Sequence, residues 1–282
     1  MSEPPKRLHV LASCCDEFDR LLRSLNEKIS PGGVDAATVE ELDTFLCAHI
    51  TAIFSLTDLY RRLFTTFDVA DAQGLRRRIG LDPDFNEDFE RWLNAEVSLN
   101  QFLRRVDARL LAVQNQATSH INNIEPGHII SEQLMFQQSA PGSDMDLASI
   151  LNNKDSRSKA GLFIYLVGYG DKSVGAHFEA QEHLDVDFLI DFDRALYRYL
   201  QLARSTFGTW NADTMAFYAA RMHANVNVPT LDEAGGMSDI HQMGADVIID
   251  SQCRIVYLYR SRSSTDRPTV DQLLTAAAKL IP

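Results

Sequence analysis

The chain has 282 residues, of which 45% are hydrophobic and 23% are charged, so its composition is that of a folded globular protein. Its 39 Asp and Glu outnumber its 27 Lys and Arg, which gives a formal net charge of −12. This charge argues against nucleic acids and membrane surfaces as partners, because both are anionic. The sequence shows no signal peptide and no long apolar run, so we expect a cytoplasmic protein.

The four cysteines give no sign of a disulfide framework or a metal site. Cys14 and Cys15 are adjacent, where disulfide geometry is strained, and Cys47 and Cys253 follow no regular spacing. Cys47 and His49 are two residues apart, so in a helix they point to different faces. We therefore predict reduced thiols, no metal and no cofactor.

Three segments of the first half carry apolar residues at alternating steps of three and four, the pattern of an amphipathic helix. They span residues 8–29, 39–67 and 89–124, and breaks rich in Pro and Gly follow the first and the third. This heptad-like spacing predicts an antiparallel, coiled-coil-like helical bundle, with residues 6–125 almost wholly helical.

The third segment is longer than the first, so part of its apolar face needs another partner. We expect the bundle to form a homo-oligomer or to dock a protein partner. A monomeric bundle that packs against the second half of the chain is an equal alternative, since such stripes are often buried within one molecule.

The hydrophobic period changes near residue 127. Short β-rich runs appear at 134–136, 162–167, 186–190, 247–249 and 255–259. The last two runs are separated by a turn-length connection and predict an antiparallel hairpin, whereas the earlier runs alternate with helical patterns as in βαβ units. The fold class is therefore α + α/β, with a helical bundle at 1–127 and an α/β domain at 128–282.

Several parts of the second half, in this order, resemble a known family. They are LFIYLVGYG (162–170), DFDRALYRYL (191–200), GADVIID (244–250) and the stretch from Ile255 to Pro268. Together they resemble the peroxiredoxin-like branch of the alkyl hydroperoxide reductase C and thiol-specific antioxidant family. The resemblance implies a thioredoxin-like fold and covers most of the second half.

The resemblance also locates an active-site position. In this family a Cys-Pro-x-Cys motif lies at a helix N-terminus, which lowers the thiol pKa. The matching position here is Ser139, Ala140, Pro141, Gly142 and Ser143, which keeps the proline and lacks both cysteines. A serine hydroxyl does not replace a reactive thiolate without a strong adjacent base. We interpret this segment as a vestigial active site.

The leading hypothesis is a non-catalytic binding or structural module attached to a self-associating helical bundle. One alternative is a thiol-dependent antioxidant enzyme or oxidoreductase that uses Cys14, Cys15 or Cys253, although we expect Cys253 to be an exposed thiol in the hairpin turn. Another alternative is an enzyme of unrelated chemistry that reuses the cleft beside Pro141, lined by polar groups that include Tyr169 and Arg260.

Overall fold

The computed structural model describes residues 4–29, 32–114, 124–131, 133–138, 145–152, 158–159, 162–169, 186–226, 228, 239 and 241–280. The chain divides into two compact units. The helical unit contains Met1–Ile121, Arg204–Val228 and Ser263–Thr265, and the sheet unit contains Asn122–Ala203, Pro229–Arg262 and Asp266–Pro282. The division into domains at residues 127 and 128 stays a prediction. The compact units add that two segments of the second half, Arg204–Val228 and Ser263–Thr265, belong to the helical unit.

The described secondary structure is helical in the first half and mixed in the second. The helices in chain order are α1 (Pro4–Lys28), α2 (Val39–Phe54), α3 (Leu56–Phe67), α4 (Ala72–Ile79), α5 (Asn86–Gln114), α6 (Leu147–Asn152), α7 (Ala195–Tyr199), α8 (Thr206–Trp210), α9 (Ala212–His223) and α10 (Val270–Ala277). The strands are β1 (Met135–Gln138), β2 (Met145–Asp146), β3 (Ser158–Lys159), β4 (Leu162–Phe163), β5 (Tyr165–Gly168), β6 (Asp187–Ile190), β7 (Ala245–Ile249) and β8 (Ile255–Arg260).

The structure confirms the fold class, a helical region followed by an α/β region. The second apolar stripe, however, forms two helices and not one. A capping box of Thr38 and Glu41 begins α2, and Ser55 separates α2 from α3. The Ser55 hydroxyl donates to the Ala52 carbonyl over 2.7 Å, a local hydrogen bond that competes with the helical ladder.

The apolar stripes form the core of the helical unit. Phe18, Leu42, Leu63, Leu103 and Val106 are among the side chains with 6% exposure or less, and they come from α1, α2, α3 and α5. Burial of a Leu or Phe side chain contributes roughly 1.5–3 kcal/mol, so these stripes provide much of the stability of the unit. The stripe of α5 is thus largely used within the monomer.

Residues Val39–Phe67, taken together, have the length and apolar composition of a membrane span. In the structure Ser55 divides this stretch, and Leu46, Ile53 and Leu63 lie in the core. A buried core helix of a globular protein has the same composition, so the stretch is weak support for a membrane span.

The sheet unit contains a four-stranded sheet of order β2-β1-β6-β5. Strands β5 and β6 are parallel, as the βαβ pattern predicts, with Gly168 opposite Ile190. The βαβ pattern also implied that the first apolar run, residues 134–136, would pair in parallel. This prediction is wrong, because β1 runs antiparallel to β6, with Gln138 opposite Leu189. A run of apolar residues marks a strand but does not encode the direction in which it pairs. The helix expected before β6 lies outside the described residues.

Strands β7 and β8 form the predicted antiparallel hairpin, as a two-stranded sheet of their own. Cys253 lies in its turn with a φ of 59° in the left-handed region. The expectation of an exposed thiol is wrong: Cys253 is 2% exposed and belongs to a core with Ile130 and Ile255. The main chain at residue 130 donates to the Cys253 carbonyl over 2.9 Å, so a preceding segment covers the turn.

Candidate functional site

A group of polar side chains lies where the parallel strands β5 and β6 end. Tyr169 follows β5, and its hydroxyl donates to the main-chain carbonyl of Asp239 over 2.5 Å. The guanidinium of Arg194 lies 4.6 Å from the centre of the Tyr169 ring. The ring of Tyr197 meets that of Tyr169 edge to face, with centroids 5.2 Å apart. Tyr169 is therefore held on several sides.

Arg194 and Asp239 form a close ion pair at this position. The distance from Arg194 Nη1 to Asp239 Oδ2 is 2.5 Å, and the Asp239 side chain is only 2% exposed. The other carboxylate oxygen of Asp239 accepts the main-chain N–H of His241 over 3.2 Å. Arg194 has a φ of 58°, an unfavourable conformation for a non-glycine residue that the surrounding contacts must hold in place.

Asp191 follows β6 and is fully buried. Its Oδ2 accepts the main-chain N–H of Tyr197 over 3.1 Å, whereas its buried Oδ1 has no hydrogen-bond partner among the described atoms. Burial raises the pKa of Asp191, and the N–H of Tyr197 opposes part of that rise. The Tyr197 hydroxyl donates to the carbonyl of Val167 over 3.0 Å. The pKa of this buried acid therefore lies above its ordinary value.

We call Tyr169, Asp191, Arg194, Tyr197 and Asp239 the polar cluster. Residues 149–263, which contain the whole cluster and the hairpin, match a protein-family model described as AhpC/TSA antioxidant enzyme. This segment, which we call the AhpC/TSA segment, is similar to the AhpC/TSA family. No curated protein and no solved structure matches the chain.

The family match begins at residue 149, so it does not extend over the predicted vestigial position. Ser139, Ala140, Pro141, Gly142 and Ser143 lie outside the described residues. Strand β1 ends just before them and points toward the beginning of β6, because the two strands are antiparallel. Tyr169, in contrast, follows the carboxyl end of β5.

Arg260 lies in the AhpC/TSA segment, and its side chain forms hydrogen bonds with two main-chain carbonyl groups. Its Nε donates to the carbonyl of Leu200 over 2.7 Å, and its Nη2 donates to the carbonyl of Ile124 over 2.8 Å. The guanidinium therefore joins β8 to two other stretches of main chain. A role in lining a cleft stays a prediction.

The thiols of the chain are mostly inaccessible. Cys14 and Cys15 are at most 1% exposed and Cys253 is 2% exposed, whereas Cys47 is exposed. Burial raises the pKa of Cys14 to about 11 and that of Cys15 to about 12. The thiol of Cys15 also donates to the carbonyl of Asp88 over 3.2 Å. Because the thiolate is the nucleophile, these two thiols are poorly reactive near neutral pH.

The described part of the chain holds no group of three or more His, Cys, Asp or Glu that could bind a metal ion. In the sequence, Asp191, Arg194 and Tyr197 belong to a stretch that stands out only through the family resemblance, and no pattern marks Asp239 or His241. A weak signal was present, since Tyr169 and Asp191 each directly follow a strand of a parallel pair, where α/β proteins often place polar groups.

Proposed function

We propose that the AhpC/TSA segment of this protein is a non-catalytic binding or structural module. The observation that carries the proposal is that its matched residues contain a single cysteine, Cys253, which is 2% exposed. Peroxide reduction by a thiol begins with a thiolate that meets the peroxide and becomes a sulfenic acid. A thiol buried in the hairpin core is poorly suited to that step.

The resemblance adds a second argument. If residues 139–143 correspond to the reactive position of the family, that position has serine and alanine in place of cysteine. A serine hydroxyl does not form a sulfenic acid, so the redox cycle has no starting group there.

The alternative of a thiol-dependent oxidoreductase requires a cysteine from elsewhere. Cys14 and Cys15 are buried, with their thiol pKa values raised to about 11 and about 12, which weakens their candidacy. Cys47 is exposed, but it lies in α2, outside the residues 149–263 that match the family model.

A peroxidase assay tests the proposal. Purified protein, checked for folding by circular dichroism, is mixed with hydrogen peroxide or an organic hydroperoxide and a dithiol reductant. We expect consumption no faster than that of the reductant alone. Turnover that is abolished by Cys253→Ala or by Cys47→Ser, in a variant that retains its native spectrum, would overturn the proposal and identify the reactive thiol.

For the helical region we propose self-association through the outer face of α5. Val97 is 52% exposed and Leu111 is 47% exposed, whereas Leu103 and Leu110 are buried inside the unit. Exposed apolar residues on a long helix are a common basis for helix pairing. The homo-oligomer thus forms through the exposed outer face of α5, because the buried apolar stripe of this helix is already packed inside the helical unit.

Sedimentation at micromolar concentration tests this second proposal. We expect a dimer for the native protein and a monomer for the double variant Val97→Glu, Leu111→Glu. The matched control is Leu81→Glu, since Leu81 is 84% exposed and lies outside α5. A native protein that sediments as a monomer would contradict self-association.

A further inference from the structure

One stretch of the AhpC/TSA segment folds as part of the helical unit. Residues Arg204–Val228, which contain α8 and α9, belong to that unit although they lie inside the matched range 149–263. We call this stretch the strap. The sequence pattern does not indicate this placement, because the hydrogen-bond partners of the strap in α5 lie 98 to 112 positions away in the chain.

The beginning of the strap is capped by a carboxylate of α5. Oδ1 of Asp107 accepts the main-chain N–H of Thr206 over 2.6 Å. Its Oδ2 accepts the Ser205 hydroxyl over 2.6 Å and the main-chain N–H of Phe207 over 3.1 Å. Helix N-termini leave their first N–H groups without partners inside the helix, so Asp107 supplies acceptors that α8 lacks.

A second side chain of α5 does the same for α9. Oδ1 of Asn100 accepts the main-chain N–H of Ala212, the first residue of α9, over 3.0 Å. Between the two caps, the guanidinium of Arg104 lies 4.2 Å from the centre of the Phe207 ring. Asn100, Arg104 and Asp107 are separated by four and three residues, so they share one face of α5. We call this face the clasp.

Buried apolar side chains also hold the strap in the helical unit. Trp210, Met215 and Ala219 are at most 4% exposed, and α9 packs along α3. The ring of Phe54 meets the ring of Trp210, with centroids 6.4 Å apart. Helices of 5 and 12 residues are too short to be stable alone, so the strap depends on the surface that receives it.

From these contacts we infer that the helical region is the obligatory docking surface for the strap, and that the clasp of Asn100, Arg104 and Asp107 makes the strap and the helices one cooperative folding unit. The helical region is then a required partner of the AhpC/TSA segment and not a removable appendage. This inference does not depend on whether the segment has catalytic activity.

Hydrogen exchange measured by mass spectrometry on the full-length protein tests the inference. In the native protein, peptides from α9 and from α3 should show the same protection and the same dependence on urea, distinct from peptides of the β7–β8 hairpin. Asp107→Ala should accelerate exchange in α9 and α3 together, by about fivefold to tenfold for the loss of a helix cap. Glu90→Ala, an exposed acidic residue of α5, is the matched control and should change neither.

Two outcomes would overturn the inference. In the first, Asp107→Ala accelerates exchange in the strap and leaves α3 unchanged, so that the strap opens independently. In the second, native strap peptides follow the hairpin in their urea dependence. If Asp107→Ala does not fold, Asp107→Asn replaces it in the experiment, because asparagine keeps one acceptor oxygen. The exchange rates of strap, α3 and hairpin peptides in the native protein then still show whether the strap unfolds together with α3.

Discussion

The hydroxyl of Tyr60 donates a hydrogen bond of 2.6 Å to Oε1 of Glu96, and both residues are buried in the helical unit. The same oxygen accepts the indole N–H of Trp92 over 2.9 Å, and Arg76 donates to Oε2 over 2.9 Å. A buried carboxylate is tolerated when it is paired and hydrogen-bonded in this way. These contacts explain why an acidic residue occupies the apolar stripe of α5.

We predict that Glu96→Ala lowers the free energy of unfolding by about 3 kcal/mol, because it leaves buried hydrogen-bond donors without acceptors. Urea denaturation measures the change. Glu90→Ala on the same helix should alter the free energy by less than about 0.5 kcal/mol, as for other exposed sites. A loss of less than about 1 kcal/mol for Glu96→Ala would contradict the structural role of this network.

Thiol accessibility should separate Cys47 from the other cysteines. A thiol reagent such as Ellman's reagent should label one thiol quickly at pH 8, because Cys47 is exposed and Cys14, Cys15 and Cys253 are buried. All four should react after denaturation. Cys47→Ser should remove the fast phase. A fast phase that persists in this variant would show that one of the buried thiols is open to solvent.

Alkaline pH should destabilise the helical unit through the buried thiols of Cys14 and Cys15, and the contribution of Cys14 can be separated by mutation. In the folded protein the Cys14 thiol keeps its proton up to about pH 11, whereas in the unfolded chain it ionises near its ordinary pKa of 9.0. Between these values the unfolded state binds fewer protons, so the free energy of unfolding falls as pH rises, and the part due to Cys14 reaches about 2 kcal/mol at pH 10.5. Urea midpoints from pH 7 to 10.5 measure the effect.

The control for this pH dependence is Cys14→Ala. The variant should be less stable than the native protein at pH 7, because a buried side chain is truncated. Its stability should then fall less steeply above pH 9. Parallel stability curves for the two proteins would refute the assignment of the alkaline loss to Cys14.

Asp68 ends α3 with a φ of 55° and a ψ of 56°, and its main-chain N–H donates to the Phe64 carbonyl. Glycine adopts this left-handed conformation without steric cost. Asp68→Gly should therefore raise the free energy of unfolding by about 0.5–1 kcal/mol, and Asp68→Ala should not. Thermal or urea unfolding distinguishes the two, and equal effects would contradict the proposed reason.

The amino-acid sequence determined the elements whose signals are local. The apolar spacing in 8–29 and 89–124 predicted helices, found as Pro4–Lys28 and Asn86–Gln114, and residues 115–123 lie outside the described residues. The runs around 247–249 and 255–259 predicted a hairpin, as found. A resemblance to the AhpC/TSA family was also visible in short stretches between residues 162 and 268, which overlap the matched range 149–263. Periodicity and turn chemistry depend on residues a few positions apart, so a single sequence reveals them.

Only the tertiary structure decided how these elements are paired and covered. It set the antiparallel direction of β1, buried Cys253, brought Asp239 to Arg194 and fixed the strap to Asp107. Each of these facts depends on contacts between residues far apart in the chain. Their free energy comes from burial and hydrogen bonds that exist only once the chain has folded, and no local pattern encodes them.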